Sequence, residues 1–400
     1  MKYIIVVPDG MYDHPQDILG GKTPMEVARA DNFDYLAQHG FSGLVQTIPD
    51  DMPPGSDIGN MAILGYDPHV YHTGRAPLEA ASQGIDLKDD EVVFRCNLVT
   101  VEGGKLIDHS AGHISSKEAD ILVDALNHEL ADDHVQFYPG KSYRNLLVMK
   151  ARDPKKFLNI KTTPPHDILG KAFSSFLPKG IESDALLRLM EKSKNIFEQH
   201  TINQVRIDLK ENPANMIWLW GQGTKPNLEP FQKKFGLKGG IISAVDLVLG
   251  LGKLAEVEII DVPGITGYYD TNYLGKAEYA IKALKKLDFV YIHIEAPDEA
   301  GHNGDAKAKI DAIEHIDRDI IGTILNHYKN KDDVRILVLP DHPTPLELRT
   351  HSHEPVGFVM YGKGITHDGP VEYNEKALKD VGIKFKSAFE LTEYFIKSNI

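Results

Sequence analysis

The sequence has little of what marks secreted, membrane-spanning or nucleic-acid-binding proteins. It contains one cysteine, Cys96, in 400 residues, which excludes an internal disulfide framework and favours a reducing compartment. No apolar run approaches the roughly 18 residues that a membrane-spanning helix needs. The apolar run after Lys2 stops at Pro8 and Asp9, which is too short for a signal peptide. We therefore expect a cytoplasmic protein.

Positive charge is also scarce. The chain carries 44 Lys and Arg against 58 Asp and Glu, a formal net charge of -14. Such a balance disfavours nucleic acid and anionic membranes as partners. It does not disfavour a small anionic substrate, because a local metal cluster can outweigh the global field. The sequence does not indicate an oligomeric state.

What the chain does contain is an alternation of strands and helices, clearest in its last third. Apolar runs predict strands at Tyr3–Pro8, Val257–Val262, Phe289–Ile294, Arg335–Leu339 and Gly357–Tyr361. Helical spacing predicts helices at Ala244–Leu254, Asn272–Leu284, Ala306–Tyr328 and Ala388–Lys397. Apolar strands that alternate with helices are typical of a parallel sheet covered on both faces. The predicted class is therefore α/β.

Acidic residues follow three of these strands. Asp9 comes directly after the first strand, Asp298 shortly after Phe289–Ile294, and Asp341-His342 after Arg335–Leu339. Side chains beyond the carboxyl ends of parallel strands meet at one edge of the sheet. His302 stands four residues after Asp298, on the same face of a helical turn. Carboxylate and imidazole ligands together suit a divalent metal ion, so we predict a metal site at this edge.

The predicted site joins the two ends of the chain, which indicates one core domain divided by an insertion. We expect this core at residues 1–73 and 226–400, and a smaller inserted α/β domain at 74–225. Predicted strands of the insertion are Val92–Val101, Val135–Tyr138, Asn145–Met149 and Met216–Trp220, and its predicted helices are near Ser116–Leu130 and Ser183–Gln199.

Ser56 is the candidate nucleophile. It follows the turn Pro53-Pro54-Gly55 and opens a predicted short helix, Ile58–Leu64. The backbone N–H groups and the dipole of a helix start favour negative charge at its side chain, and a metal ion can activate the hydroxyl. A serine at a helix start is more often a simple N-cap. These residues alone do not distinguish a nucleophile from an N-cap.

Six short motifs occur in one order along the chain. They are PDGM (8–11), ADNFDYLAQHG (30–40), GSDIGN (55–60), EAPDEAGH (295–302), DH (341–342) and THSHEPV (350–356). Together they resemble the alkaline phosphatase superfamily, and most closely the archaeal type of 2,3-bisphosphoglycerate-independent phosphoglycerate mutase. The similarity covers essentially the whole chain. It implies an alkaline-phosphatase-like parallel-sheet core sandwiched by helices, with a smaller inserted α/β cap domain.

The resemblance also implies two divalent metal ions and no requirement for 2,3-bisphosphoglycerate. By carry-over, one ion is held by Asp9, Ser56, Asp341 and His342, and the other by Asp298, His302 and His351. These oxygen and imidazole ligands include no thiolate, which suits Mn²⁺ and tolerates Zn²⁺ or Mg²⁺; Co²⁺ is a further alternative. His353 is a rival to His351, although the family pattern places the ligand directly before Ser352.

The activity implied is that of an isomerase of glycolysis and gluconeogenesis, an intramolecular phosphotransferase. Ser56 would take the phosphoryl group from 3-phosphoglycerate and return it to the other hydroxyl, giving 2-phosphoglycerate. The alternative is a metal-dependent phosphohydrolase, or a phosphotransferase on another hydroxy acid such as homoserine. A non-catalytic metal-binding or regulatory protein is the third hypothesis.

The inserted domain should present cations to the substrate's phosphate and carboxylate. The candidates are Arg75, Arg95, Arg144 and Lys225. His113 is a candidate acid/base for the substrate hydroxyl. Each of these side chains could instead be an ordinary surface group. His109 and His113 stand four residues apart, so a third metal ion is a lesser alternative.

Overall fold

The computed structural model describes residues 1–329, 331, 333–370 and 372–397. Contacts divide the chain into two units, one formed by Met1–His72 with Asn227–Ile400 and the other by Thr73–Pro226. The first unit is therefore discontinuous in sequence, and the second is inserted within it. This division falls one residue from the boundaries expected at 74 and 225.

The strands run, in chain order, over β1 (Lys2–Pro8), β2 (Phe41–Val45), β3 (Glu91–Glu102), β4 (Lys105–Asp108), β5 (Val135–Lys141), β6 (Arg144–Lys150), β7 (Met216–Thr224), β8 (Gly239–Ile242), β9 (Glu258–Ile259), β10 (Phe289–Ile294), β11 (Val334–Val338), β12 (Val356–Gly362) and β13 (Ile383–Phe385). β3 to β7 belong to the inserted unit, and the others belong to the first unit.

The α-helices are α1 (Pro24–Val27), α2 (Asp31–His39), α3 (Ser56–Ile63), α4 (Pro68–Tyr71), α5 (Ala76–Ser82), α6 (Ser116–Leu130), α7 (Ser183–Glu198), α8 (Thr201–Asp208), α9 (Phe231–Phe235), α10 (Asp246–Leu254), α11 (Tyr273–Ala283), α12 (Ala296–Asn303), α13 (Ala306–His315), α14 (Gly322–Tyr328), α15 (Glu375–Val381) and α16 (Ala388–Lys397). A π-helical segment, Ile316–Ile321, joins α13 to α14, and short 3₁₀ turns lie at Asp17–Leu19, Pro154–Asn159, Pro165–Ile168 and Phe173–Phe176. Among the described residues, no helix combines the length and the apolar character that crossing a membrane requires.

The first unit is built on a mixed sheet with the strand order β13-β2-β12-β11-β1-β10-β8-β9. β1 pairs in parallel with both β10 and β11, and β8 continues the parallel part. The predicted α/β class is confirmed. The sheet differs from the predicted parallel arrangement at β12, which runs antiparallel to β11 and to β2. An antiparallel neighbour can be reached by a loop without a crossover helix, so the chain between β11 and β12 stays at one edge of the sheet.

The sheet of the first unit is buried on both faces. Ile4 and Val6 of β1 point to one face and Ile5 and Val7 to the other, and all four are 0% exposed. The first face shares a core with α2, α11 and the helices from α13 to α14. Because both faces are buried, the strands of this unit have continuous apolar sequences.

β8 is one of the strands of this sheet that the hydrophobic pattern does not indicate; β13 is another. Two of its residues are glycines, which weaken a strand signal. A Cβ at Gly239 would approach Val257 to 2.9 Å, and one at Gly240 would approach Leu287 to 2.6 Å. Neighbouring side chains therefore fill the space above these glycines. β9 is also shorter than the predicted strand, Val257–Val262.

The inserted unit is built on an antiparallel sheet. β3 is its central strand and pairs with β6 on one side and β7 on the other, while β4 and β5 extend it. Helices α6 and α7 share its main core, which includes Phe94, Leu147 and Trp218. The pairs of β3 with β6 and with β7 join segments far apart in sequence, whereas β3–β4 and β5–β6 join consecutive strands.

Candidate metal centre

Three strands of the first unit deliver acidic side chains to one edge of its sheet. Asp9 follows β1, Asp341 follows β11, and Asp298 lies in the first turn of α12, directly after β10. Because β1 is parallel to both neighbours, the three segments leave the sheet at the same edge. Asp9 and Asp341 are 0% exposed and Asp298 is 3% exposed. The structure thus brings together the acids that follow the predicted strands.

Helix α3 carries Ser56 to this edge. Ser56 is the first helical residue and not the cap, because Gly55 occupies the capping position. Its side chain is buried, and Oγ lies 3.0 Å from Nε2 of His342. The unpaired N–H groups of the first helical turn and the helix dipole favour negative charge near this hydroxyl.

Residues of α3 dock the helix against the end of β11. A Cβ at Gly59 would meet the carbonyl oxygen of Asp341 at 2.7 Å, so a larger residue would push α3 away. Asn60 donates from Nδ2 to Oδ2 of Asp341 at 2.7 Å and to the carbonyl of Ser56 at 2.9 Å. The hydroxyl of Tyr291 donates to Oδ1 of Asn60 at 2.6 Å. One buried amide therefore links the serine to the carboxylate.

A second group of potential ligands lies beside the first. Nε2 of His302 lies 3.2 Å from Oδ2 of Asp298 and 3.0 Å from Nε2 of His351. Nε2 of His351 lies 3.5 Å from Oδ1 of Asp298. The rings of His342 and His351 stack with centroids 4.0 Å apart, and ligand atoms of Asp298, His342 and His351 lie within 4.8 Å of one another. His342 therefore stands between the two groups.

The loop between β11 and β12 determines which histidine reaches the site. Because β12 is antiparallel, this loop stays at the ligand edge and carries His351 toward Asp298. His353 is exposed, and its carbonyl accepts a hydrogen bond from Gln46 at 2.7 Å. Of the two alternatives left open by the sequence, the structure brings His351 to the other candidate ligands.

His293 also lies at this centre, although the analysis of the sequence did not select it. Its Nε2 lies 2.9 Å from Oδ2 of Asp9, and it is 0% exposed. Ligand atoms of Asp9, His293 and Asp341 lie within 4.8 Å of one another. The only signal in the sequence is one polar residue inside the apolar run Phe289–Ile294, which a buried core histidine would also produce.

The charge balance of the centre favours a bound cation. Oδ1 of Asp9 and Oε2 of Glu295 are buried and have no hydrogen-bond partner among the described residues. Burial, followed by repulsion from Asp341, raises the pKa of Asp9 well above its usual range. Burial and the charge of Asp298 raise the pKa of Glu295 to about 8. Clustered carboxylates with orphaned oxygens fit a divalent ion, which would satisfy both their charge and their lone pairs.

In the second group, in contrast to the first, the pKa shifts favour the charged forms of the side chains. Burial disfavours charge on both Asp298 and His302, but their mutual contact outweighs it. The hydrogen bonds from His302 and His351 hold the pKa of Asp298 well below its usual range. The contact with Asp298 raises the pKa of His302 to about 9. A bound cation would compete with the proton on His302, because only the neutral imidazole coordinates a metal.

A buried ion pair supports the loop after His342. Nζ of Lys309 donates to Oδ2 of Asp13 at 2.7 Å and to the carbonyl of Thr344 at 2.9 Å. Both charged side chains are 0% exposed. The hydroxyl of Thr344 donates to Oδ1 of Asp298. Thr344 therefore fixes the orientation of the Asp298 carboxylate, a candidate ligand.

In the inserted unit, the three predicted arginines have different surroundings. Arg95 donates from Nε to Glu79 at 3.1 Å, and its guanidinium lies 4.1 Å from the ring centroid of Trp220. Arg144 is exposed and lies over the ring of Tyr143 at 5.0 Å. Nε of Arg75 is buried without a partner among the described residues. Burial, and the charges of Arg75 and Arg144, lower the pKa of Arg95 to about 10 although Glu79 opposes the shift, so the three cations are electrostatically coupled.

His166, His113 and Lys225 of this unit also have different surroundings. The ring of His166, which the sequence analysis did not select, lies 5.7 Å from that of Trp220 and 6.2 Å from that of His109. Burial, with the charges of His109 and the arginines, lowers the pKa of His166. His113 is exposed, with a φ of 51°. Lys225 pairs with Asp86 at 2.7 Å on the surface, so its described contact is with a carboxylate of this chain.

Comparisons with known proteins agree with the resemblance found in the motifs. The sequence model of the family described as 2,3-bisphosphoglycerate-independent phosphoglycerate mutase matches residues 37–203. A mutase of that name from Methanosarcina barkeri is 48% identical over 402 residues, with all of both chains covered. A probable mutase of that name from Geobacter sulfurreducens is 44% identical, covering 99% of this chain and 100% of the relative.

Solved structures share the fold. A Pyrococcus horikoshii protein aligns with a TM-score of 0.83 and 29% identity, covering 98% of this chain and 96% of that one. A cofactor-independent phosphoglycerate mutase from Thermoplasma acidophilum aligns with a TM-score of 0.67 and 26% identity, covering 99% of each chain. Since the sequence relatives match from end to end at nearly half identity, this chain belongs to the family of 2,3-bisphosphoglycerate-independent phosphoglycerate mutases.

Proposed function

We propose that this protein is a metal-dependent phosphoglycerate mutase that interconverts 3-phosphoglycerate and 2-phosphoglycerate through a phosphoserine at Ser56. The observation that carries the proposal is the position of the Ser56 hydroxyl, 3.0 Å from Nε2 of His342, at a sheet edge crowded with buried carboxylates. The names of the full-length relatives support the same substrate. We expect the reaction to take place in the cytoplasm.

The proposed metal ligands fall into the two groups described above. One divalent ion would be held by Asp9, Ser56, Asp341 and His342, and a second by Asp298, His302 and His351. The donor set of carboxylates, imidazoles and a hydroxyl favours Mn²⁺, with Zn²⁺, Mg²⁺ and Co²⁺ as alternatives. When bound, such a pair supplies positive charge that lowers the pKa of the serine hydroxyl and stabilises the oxygens of a phosphoryl group in transfer.

The transfer consists of two displacements at phosphorus. In the first, Oγ of Ser56 forms a bond to phosphorus, the bond to the substrate's 3-oxygen breaks, and the proton lost by the serine balances the one gained by glycerate. In the second, the 2-oxygen of glycerate forms a bond to phosphorus and the bond from phosphorus to Oγ of Ser56 breaks. The proton lost by the 2-hydroxyl balances the one gained by Oγ, which restores the Ser56 hydroxyl. No water is consumed, so the net reaction is an isomerisation.

The inserted unit would serve as the cap that holds glycerate between these displacements and excludes water. Its coupled cations, Arg75, Arg95 and Arg144, suit a phosphate and a carboxylate. His113 would exchange protons with the substrate hydroxyl. The aromatic contacts of Arg95 and Arg144 support this role, because a stacked guanidinium is held in place before an anion binds. Nε of Arg95 donates to Glu79 and Nε of Arg144 to the hydroxyl of Tyr143, so an anion would be bound by their Nη groups.

The test is a product profile from 3-phosphoglycerate with defined metal ions. Appearance of 2-phosphoglycerate is followed with coupled enolase, and free phosphate is measured in the same samples. We expect 2-phosphoglycerate without stoichiometric phosphate, and no conversion by folded Ser56→Ala protein. Phosphate release without 2-phosphoglycerate would establish a phosphohydrolase instead. If neither product forms, phosphohomoserine and other phosphorylated hydroxy acids are tested for transfer.

A further inference from the structure

The buried histidine His293 has no role in the two ligand groups assigned above, yet it contacts one of their members. We propose that His293 is a positioning residue: it holds Oδ2 of Asp9 by a hydrogen bond, so that Asp9 offers a metal ion one oxygen, Oδ1. This inference rests on the metal centre of the proposed function. It concerns how the chain aims a ligand and does not concern the substrate.

The hydrogen bonds of Ser243 are compatible with a His293 ring that carries its proton on Nε2. The backbone N–H of Val245 donates to Oγ of Ser243 at 3.0 Å. Oγ of Ser243 lies 3.3 Å from Nδ1 of His293. With one of its lone pairs occupied by Val245, the hydroxyl can donate its own proton to Nδ1. The neutral ring then carries its proton on Nε2.

The contact with Asp9 requires the same assignment. Nε2 of His293 lies 2.9 Å from Oδ2 of Asp9, and both residues are 0% exposed. If Nε2 carried no proton, two acceptors would face each other at 2.9 Å, too close for a water molecule between them, which is costly in a buried environment. Ser243 and Asp9 therefore select the tautomer in which Nε2–H donates to the carboxylate.

This arrangement leaves the second oxygen of Asp9 for a cation. Oδ1 of Asp9 is buried, lacks a donor among the described residues, and lies 3.5 Å from Nε2 of His342. The carboxylate is thus held at Oδ2 and open at Oδ1, on the side of His342. A histidine in contact with a ligand carboxylate fixes its orientation in the same way that outer-shell carboxylates fix ligand histidines.

The surroundings of His293 hold its ring in place. Its carbonyl oxygen accepts a hydrogen bond from Nζ of Lys276, which is 1% exposed, at 2.7 Å. Oε2 of Glu295 lies 3.8 Å from Nε2, beyond hydrogen-bond distance. The strand β10 is paired on both sides, with β1 and β8. His293 therefore cannot turn toward solvent without breaking the sheet around it.

The experiment measures metal affinity, and not turnover alone, in chelator-stripped protein titrated with MnCl₂ in a calorimeter. We expect His293→Ala to weaken the Mn²⁺ site that contains Asp9 by about 10- to 100-fold, the range found for outer-shell partners. His293→Gln places an amide donor near Oδ2 and should recover most of the affinity. Ser243→Ala should cost less than about tenfold, because Asp9 itself still favours the same tautomer.

A matched control and a spectroscopic measurement separate positioning from other roles. His128→Ala removes an exposed histidine, 83% exposed, from the inserted unit and should leave both affinities unchanged. In protein labelled with ¹⁵N-histidine and loaded with ¹¹³Cd²⁺, His293 should show no coupling to the metal, and His293→Gln should lose no coupled nitrogen.

Loss of a coupled nitrogen in His293→Gln would make His293 a direct ligand and overturn the inference. Unchanged Mn²⁺ affinity in His293→Ala would also overturn it. If His293→Ala does not fold, the ¹¹³Cd²⁺ spectrum of folded His293→Gln still decides, because retention of every coupled nitrogen supports the inference and loss of one overturns it. Protein that binds Mn²⁺ with these dependences but does not interconvert phosphoglycerates would refute the proposed function and leave this inference standing.

Discussion

The two units hold their charged groups in opposite ways. In the first unit, Asp9 and Asp341 are buried at a sheet edge, and Oδ1 of Asp9 has no donor among the described residues. In the inserted unit, Arg95 and Arg144 lie against aromatic rings, and Arg144 is exposed. Buried like charges persist only with a counter-charge between them, whereas a guanidinium group that lies on an aromatic ring is stable before an anion arrives. This contrast supports the proposal that the first region holds a resident cation and the second a transient anion.

The largest expected effect is loss of a carboxylate from the sheet edge. Asp341→Asn removes negative charge from a fully buried position that Asn60 and Gly10 also contact. We expect Mn²⁺ affinity to fall more than about 100-fold, beyond the range for outer-shell changes, and mutase activity to fall with it. Parallel Mn²⁺ titration and the enolase-coupled assay check this. Retained metal binding would show that the cation is held without this acid.

A substitution in the inserted unit should affect use of the substrate without affecting metal binding by the first unit. Arg75→Lys keeps the charge but removes the planar donor pattern that binds phosphate or carboxylate through two hydrogen bonds. We expect kcat/KM for 3-phosphoglycerate to fall about 10- to 100-fold, the equivalent of one charged hydrogen bond. Mn²⁺ affinity should not change. A parallel loss of metal binding would contradict the division of roles between the units.

A smaller effect is expected from Thr344, which orients a ligand without being one. Thr344→Val is nearly isosteric and removes the hydroxyl that donates to Asp298. We expect the Mn²⁺ affinity of the site containing Asp298 to fall about tenfold. Thr344→Ser keeps the donor and should restore the affinity, as measured by the same titration. Equal affinities for the valine and serine variants would show that the hydroxyl of Thr344 does not orient Asp298 for the metal ion.

The smallest effect concerns a buried acid of the first unit that lies outside both ligand groups. Asp317 accepts N–H bonds from Asn32 and Phe33, and burial raises its pKa from 3.8 to about 6. Because the folded chain binds this proton more tightly than the unfolded chain, the acid favours folding below about pH 4 and opposes it progressively up to pH 6.

Urea unfolding of wild-type and Asp317→Asn protein over this pH range tests the point. The stability of the wild type relative to the variant should fall by about 1–2 kcal/mol between pH 4 and pH 6, less than the full shift implies because solvent screens part of it. Above pH 6 the difference should be level. A difference that grows with pH would mean that the helix contacts of the ionised carboxylate dominate.

The same contrast explains what could be predicted from the sequence. Asp9, Asp298 and Asp341 follow apolar runs, and parallel strands bring their carboxyl ends together whatever their order in the sheet. The choice of His351 depended on the family pattern, and its physical basis is the antiparallel β12. His293 was missed because a histidine inside a buried strand resembles a core residue.

The surroundings of the arginines were less accessible to prediction. Arg95 meets Trp220 because β3 pairs with β7, and its neighbour β6 begins at Arg144. These pairings join distant segments, and a slip of one residue in register would turn every side chain to the other face. The sequence therefore suggested which cations the inserted unit offers, but it did not reveal which rings hold them or that Lys225 pairs with Asp86.

The central position of β1 has a consequence for synthesis of the chain. Tyr3 is paired with Phe289 on one side and Arg335 on the other, so β1 is synthesised well before both of its partner strands. The inserted unit is complete at Pro226 and can fold while the apolar residues Ile4–Val7 still lack a sheet. The apolar residues Ile4–Val7 therefore stay without their partner strands until β10 and β11 have been synthesised, and such exposed apolar segments are typical binding sites for chaperones.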